Sequence, residues 1–133
     1  MGNRGSVVLI EEGRIALIKR IRDGSMYYVF PGGGILAHET PKAAAKREAF
    51  EELGVQVEIE RLFAKIDYRG IQYFFMARRI DGIFGTGLGE EYTDPKRQRG
   101  TYEPVWVRLE ELQTIQVKPM EVAGELQRLS EEN

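Results

Sequence analysis

Two short apolar runs open the chain. Val7-Val8-Leu9-Ile10 and Ile15-Ala16-Leu17-Ile18 flank a Glu12-Gly13 turn, which predicts a β-hairpin over residues 6–21. Residues 26–30 are strand-like. Pro31-Gly32-Gly33-Gly34 follows, and so dense a glycine run predicts a loop rather than regular structure. Thr40-Pro41 offers a hydroxyl cap with proline at the first helical position, and Gly54 offers the stop, so a helix is expected over 41–53. Val55, Val57 and Ile59 alternate with polar residues and predict a strand over 55–66. Gly70 turns the chain, and 71–79 gives another strand. Residues 81–100 carry glycine and charge without periodicity, and a loop this long in a compact domain is usually functional. Pro104-Val105-Trp106-Val107 predicts a strand, Glu110-Glu111-Leu112 a short helix. Pro119 opens a last amphipathic helix with Val122, Leu126 and Leu129 on one side. Strands, a helix, more strands and a final helix give an α/β fold: one domain over 1–133, a mixed β-sheet sandwiched between helices on both faces.

Composition narrows what such a domain does. With 42% hydrophobic and 30% charged residues, the 133-residue chain has the makings of an ordinary core. Cys is absent, which excludes disulfides, thiolate sites and cysteine nucleophiles and fits a reducing compartment. A net charge of −2 argues against binding long nucleic acid. No apolar run approaches the roughly 20 residues of a membrane span, and no signal-peptide pattern opens the chain, so a cytoplasmic protein away from the membrane is expected. Met1-Gly2-Asn3-Arg4-Gly5-Ser6 formally fits the myristoylation pattern, but its place before an apolar run points to a first strand. The one histidine, His38, cannot make a multi-His site, so any metal is bound mainly by oxygen.

The candidate chemistry lies on the helix at 41–53. On a helical wheel, Ala45, Ala49, Phe50 and Leu53 share one side, and Glu48, Glu51 and Glu52 share an arc of about 100° taken as the opposite side. Three carboxylates at these spacings repel one another, and Lys46 and Arg47 do not evidently neutralise them. A solvated acidic face is the plain reading of such a helix. The glycine turn upstream shifts the balance, because clustered hard oxygens suit Mg²⁺ or Mn²⁺.

Gly33, five residues, Glu39, seven residues, then Arg47-Glu48-Ala49-Phe50-Glu51-Glu52-Leu53-Gly54-Val55 resembles the Nudix box, with every charged and glycine position filled. The chain is similar to Nudix hydrolases, nearest the MutT-like branch. The resemblance implies an enzyme that hydrolyses a nucleoside diphosphate-X pyrophosphate bond with Mg²⁺ or Mn²⁺. It implies Glu48, Glu51 and Glu52 as catalytic metal ligands, with the Gly32 carbonyl as a further ligand, and Arg47 paired with Glu39 so that the Arg orients a catalytic Glu rather than touching substrate. Gly33 and Gly34 let the loop turn tightly and belong to the substrate site. Arg20 matches a phosphate-contacting Arg. Glu90 and Glu91 are the candidates for a late-loop catalytic carboxylate, with Glu103 in reserve. The 81–100 loop, with Gly82, Gly85, Gly87, Gly89 and Gly100, is expected to be mobile and to close over a nucleotide. Trp106 is expected in the core rather than as a base-stacking platform. The MutT-like branch implies hydrolysis of a nucleoside triphosphate, or its deoxy form, to NMP and pyrophosphate. The alternatives are a diadenosine polyphosphate, a nucleotide sugar or a non-catalytic nucleotide-binding module. Lys118 stands where that branch has a purine-reading Asn, which departs from selectivity for oxidised purines. The chain would act as a monomer or homodimer on a nucleotide.

Overall fold

The computed structural model describes residues 2–87 and 100–132. Among these residues there are eight strands: β1 (Arg4–Glu11), β2 (Arg14–Arg22), β3 (Ser25–Val29), β4 (Gly32–Gly34), β5 (Val55–Asp67), β6 (Ile71–Gly82), β7 (Thr101–Arg108) and β8 (Val117–Lys118). Helix α1 is Pro41–Leu53 and helix α2 is Met120–Glu132, with a 3-10 turn at Leu109–Thr114.

β1 and β2 pair only at their tips, Ile10 with Ile15 and Glu11 with Arg14. Beyond that point they part. β1 runs between β6, parallel to it, and β4, antiparallel to it. β2 runs antiparallel between β3 and β7. β5 flanks β6, and β8 flanks β3. The strands form a mixed sheet with a helix on each face. Val7, Leu9, Ala16 and Ile18 meet Ala45, Ala49 and Leu53 of α1 on one side. Val8, Ile15 and Leu17 meet Val122, Ala123 and Leu126 of α2 on the other. Burial on both faces explains why these two strands read as unbroken apolar runs.

Helix α1 has the expected bounds because its ends are set locally. The Thr40 hydroxyl accepts from the Ala43 N–H at 3.1 Å. Gly54 takes a φ of +79°, and its N–H donates to the Phe50 carbonyl at 2.9 Å.

Two expectations need correction, and one short strand goes beyond them. Gly32–Gly34 is a strand, not a loop, because β1 supplies its hydrogen-bond partners: Ser6 lies opposite Gly32 and Gly5 opposite Gly33. Val117–Lys118 is a strand, made so by pairing with Tyr28 and Val29. The expected loop from 81 starts later and begins packed. β6 continues to Gly82, Phe84 stacks on Trp106 with centroids 4.6 Å apart, and the Gly85 N–H donates to the Leu53 carbonyl at 2.8 Å. Trp106 accordingly packs on the α1 core, as expected. Residues 88–99, which include Glu90 and Glu91, lie outside the described residues, and so does the expected closure over a ligand.

Candidate functional site

The glycine strand and helix α1 build one wall together. A Cβ added at Gly33 would lie 2.4 Å from Glu48 Oε2, so only glycine lets the Glu48 carboxylate sit there. The Gly32 N–H donates to Glu52 Oε1 at 2.7 Å. Glu48 and Glu52 are 8% and 5% exposed, whereas Phe50 is 48% exposed. This corrects the wheel reading. The carboxylates stand beside the packed side, since Glu52, seven residues on, is only about 20° from Ala45. Glu48 and Glu52 turn to the glycine strand, and Glu51 turns to Arg47.

Arg47 is the hub of the acidic cluster. Its guanidinium grips Glu39 through two bonds, Nε to Oε2 at 2.6 Å and Nη2 to Oε1 at 3.0 Å. Nη1 donates to Glu48 Oε2 at 2.9 Å and to Glu51 Oε1 at 2.8 Å. Nη2 also donates to the Gly34 carbonyl at 2.9 Å. Arg47 pairs with Glu39 as expected, and it also neutralises two of the three helix carboxylates, which the sequence reading did not foresee. Arg47, with help from the Leu36 N–H, holds the Glu39 carboxyl down at about 2. The surrounding carboxylates, Glu39 first, raise the Arg47 pKa further.

The chemistry of the donor set suits a divalent cation. Every candidate ligand is a hard oxygen, and two of the carboxylates are nearly buried, where an anion calls for a counter-charge. The residues fit Mg²⁺ or Mn²⁺. Among the described residues, however, no three acidic side chains converge as ion ligands. Arg47 lies on Glu48 and Glu51, and Glu52 is turned to Gly32. The Gly32 carbonyl accepts from Arg4 Nη2 at 3.2 Å.

A cleft of about 500 Å³ opens on the other face of β1, the side of α2. Arg4, Phe30, Tyr68, Gln72, Phe74 and Lys118 are among its lining residues. One face of β6 does line it, through Gln72 and Phe74, while Tyr73 and Phe75 stack on the α1 side. Lys118 lies with Nζ 4.3 Å from the centre of the Tyr27 ring. Glu48, Glu51 and Glu52 do not line the cleft, and Arg4 is the side chain that reaches from it to the glycine strand. Nothing local in the sequence marks Arg4, because its partner Gly32 is 28 residues away.

The remaining candidates are placed as follows. Arg20 is buried, with its guanidinium 3.7 Å from the Tyr102 ring centre and Nε donating to the Thr101 carbonyl at 3.2 Å. Gly33 and Gly34 face Glu48 and Arg47, as described. Glu103 shares a small pocket with Lys19, Glu111 and Ile115, on the face of β7 away from α1, so it does not join the carboxylate cluster. His38 is exposed. No helix among the described residues is long and apolar enough to cross a membrane.

The chain is similar to known proteins to different extents. A MutT-like protein of Streptomyces ambofaciens is 39% identical over 56 residues, which is 42% of this chain and 35% of that protein. An RNA pyrophosphohydrolase of Hamiltonella defensa is 36% identical over 66 residues, 50% of this chain and 39% of that protein. The chain thus spans well under half the length of both relatives. A NUDIX hydrolase of Nitrosomonas europaea superposes with a TM-score of 0.73 at 22% identity, covering 99% of this chain and 71% of that one. A MutT from work on Aliivibrio salmonicida and Vibrio cholerae gives 0.72 at 19% identity, covering 96% of each. At these identities the superpositions carry the fold alone. The family model for the NUDIX domain matches residues 2–126, nearly the full length, and the chain belongs to the NUDIX family.

Proposed function

We propose that this chain hydrolyses the pyrophosphate bond of a nucleoside diphosphate derivative, with Mg²⁺ or Mn²⁺, and that its substrate is a nucleoside triphosphate or deoxynucleoside triphosphate cut to NMP and pyrophosphate. The observation that carries this reading is the set of carboxylates on α1, locked by Arg47 and Gly32 against a glycine strand, with a cleft of about 500 Å³ on the other face of β1. A divalent ion, when bound, supplies the positive charge that brings phosphate oxygens to carboxylates and eases proton loss from the attacking water. Glu48, Glu51 and Glu52, with the Gly32 carbonyl, would hold it. Glu39 fixes Arg47, and Arg47 in turn fixes the directions of Glu48 and Glu51. Tyr68, 58% exposed, gives the cleft an aromatic ring for a base, and Lys118 lines the cleft at the position where the MutT-like branch is expected to carry a purine-reading Asn.

The test is a screen of about twenty nucleotides with Mg²⁺ and then Mn²⁺, products identified by mass. The panel holds ordinary and oxidised nucleoside triphosphates, dinucleoside polyphosphates, nucleotide sugars and a 5′-triphosphorylated oligonucleotide. NMP and pyrophosphate from a triphosphate support the reading. Binding without any released phosphate or pyrophosphate would make the chain a nucleotide-binding module instead. Full turnover in excess EDTA would overturn the cation dependence.

A further inference from the structure

The Gly32 peptide stands between two charges. Its N–H donates to Glu52 at 2.7 Å, and its carbonyl accepts from Arg4 at 3.2 Å. That carbonyl is the oxygen proposed above for the divalent ion. A guanidinium and a dication on one carbonyl repel each other strongly at such short range. The guanidinium has somewhere else to go. Arg4 lines the cleft together with Ser6, Asp67, Gln72 and Glu121. Its cross-strand neighbour is Gly34, where even an added Cβ would meet nothing within 4 Å. The backbone of Arg4 stays fixed between Gly34 and Gln72, so only the side chain need move.

We infer that Arg4 is a phosphate-binding residue that couples the carboxylate site to the cleft. Its guanidinium covers the Gly32 carbonyl when no cation is there. With a cation on this carbonyl the guanidinium would be displaced toward the cleft that Arg4 already lines, where it would face the phosphate chain of the substrate. Arg suits that task because its planar fork matches phosphate oxygens in pairs. The coupling rests on the cation-dependent reading of the site, and the experiment separates the two.

Mn²⁺ is titrated into the nucleotide-free protein and followed by electron paramagnetic resonance, for the parent, Arg4→Gln and Arg69→Gln. Arg69 lines the open groove beside Arg4 and Gly34, so its loss reports bulk charge alone. Arg4→Gln should bind Mn²⁺ about fivefold more tightly than the parent, while Arg69→Gln stays within about twofold. Inorganic pyrophosphate, added at saturating Mn²⁺, should then bind Arg4→Gln about tenfold more weakly than the parent. Equal tightening in both variants would make the effect one of bulk charge and overturn the coupling. So would unchanged pyrophosphate affinity in Arg4→Gln. If the parent binds Mn²⁺ and Arg4→Gln matches it within about twofold, the coupling alone falls. If the parent binds no Mn²⁺, the proposed function falls with it.

Discussion

The two faces of the central strands are built on different logic. On the α1 face, every acidic group of the Nudix box is held by a named partner: Glu39 by Arg47 and Leu36, Glu48 and Glu51 by Arg47, Glu52 by Gly32. The partners are near in sequence or set by the glycine strand, and small residues, Ala45 and Ala49, bring the helix down close. On the α2 face lies the cleft, walled by β1, β3, β5, β6, β8 and the start of α2, with walls drawn from residues 4 to 121. In the function proposed above, the chemistry falls to side chains that lock one another in place, and recognition falls to residues from distant elements that meet only through the whole fold.

That contrast can be broken first at the charges. Glu52→Gln or Glu51→Gln should lower kcat by about 10²-fold or more while the protein still folds, because an amide keeps the volume and loses the charge a cation needs. Steady-state kinetics with a thermal melt checks both halves. Gly33→Ala comes next. The added methyl falls on Glu48 Oε2, so the carboxylate must leave its place, with activity largely lost and stability lowered by about 1–3 kcal/mol. A variant that keeps both would show that the glycine strand does not set Glu48.

The ion pairs give a pH signature. The folded carboxyl of Glu39 sits near 2 against an ordinary 4.5, so its contribution to stability is present above about 4.5 and lost as pH falls toward 2. Arg47→Ala removes the principal cause. Melting temperatures across that window should fall less steeply in the variant than in the parent, and the Glu39 titration followed by NMR should return toward 4.5. The cleft is probed more gently. Lys118→Asn should change the preference among purine nucleotides by about tenfold, mainly through KM, with kcat within about twofold. The smallest effect is a control on α2. Gly124 lies in the helix with nothing within 4 Å of an added Cβ, so Gly124→Ala should stabilise by about 0.5–1 kcal/mol and leave kinetics alone.

The sequence was legible where signals are local. Thr40, Pro41 and Gly54 fixed the bounds of α1, and the eight-residue spacing of Glu39 and Arg47 brought a paired loop and helix. It was illegible where a partner strand decides. Gly32–Gly34 has no side-chain pattern to read, and Val117–Lys118 is too short for one; both are strands only because β1 and β3 offer hydrogen bonds. Phe50 shows a third limit. It is apolar and sits in the box, yet it is exposed, because the buried side of α1 runs through Ala44, Ala45, Glu48, Ala49 and Glu52. A wheel that sorts residues by polarity cannot place buried carboxylates with the alanines. The cleft was hardest of all, since Arg4, Tyr68 and Lys118 meet only after the sheet has formed.

The strict alternation along β1 and β2 has an evolutionary consequence. Val7 and Leu9 belong to one core and Val8 to the other, so the strand works as a partition. Changes on the two sides of such a partition add nearly independently when the residues share no partner. Descendants of this chain could therefore exchange one cleft lining for another, and with it one substrate for another, while inheriting the carboxylate machinery intact. Arg4 is where the partition leaks, so a lineage that acquires a new substrate would be expected to revise position 4 early.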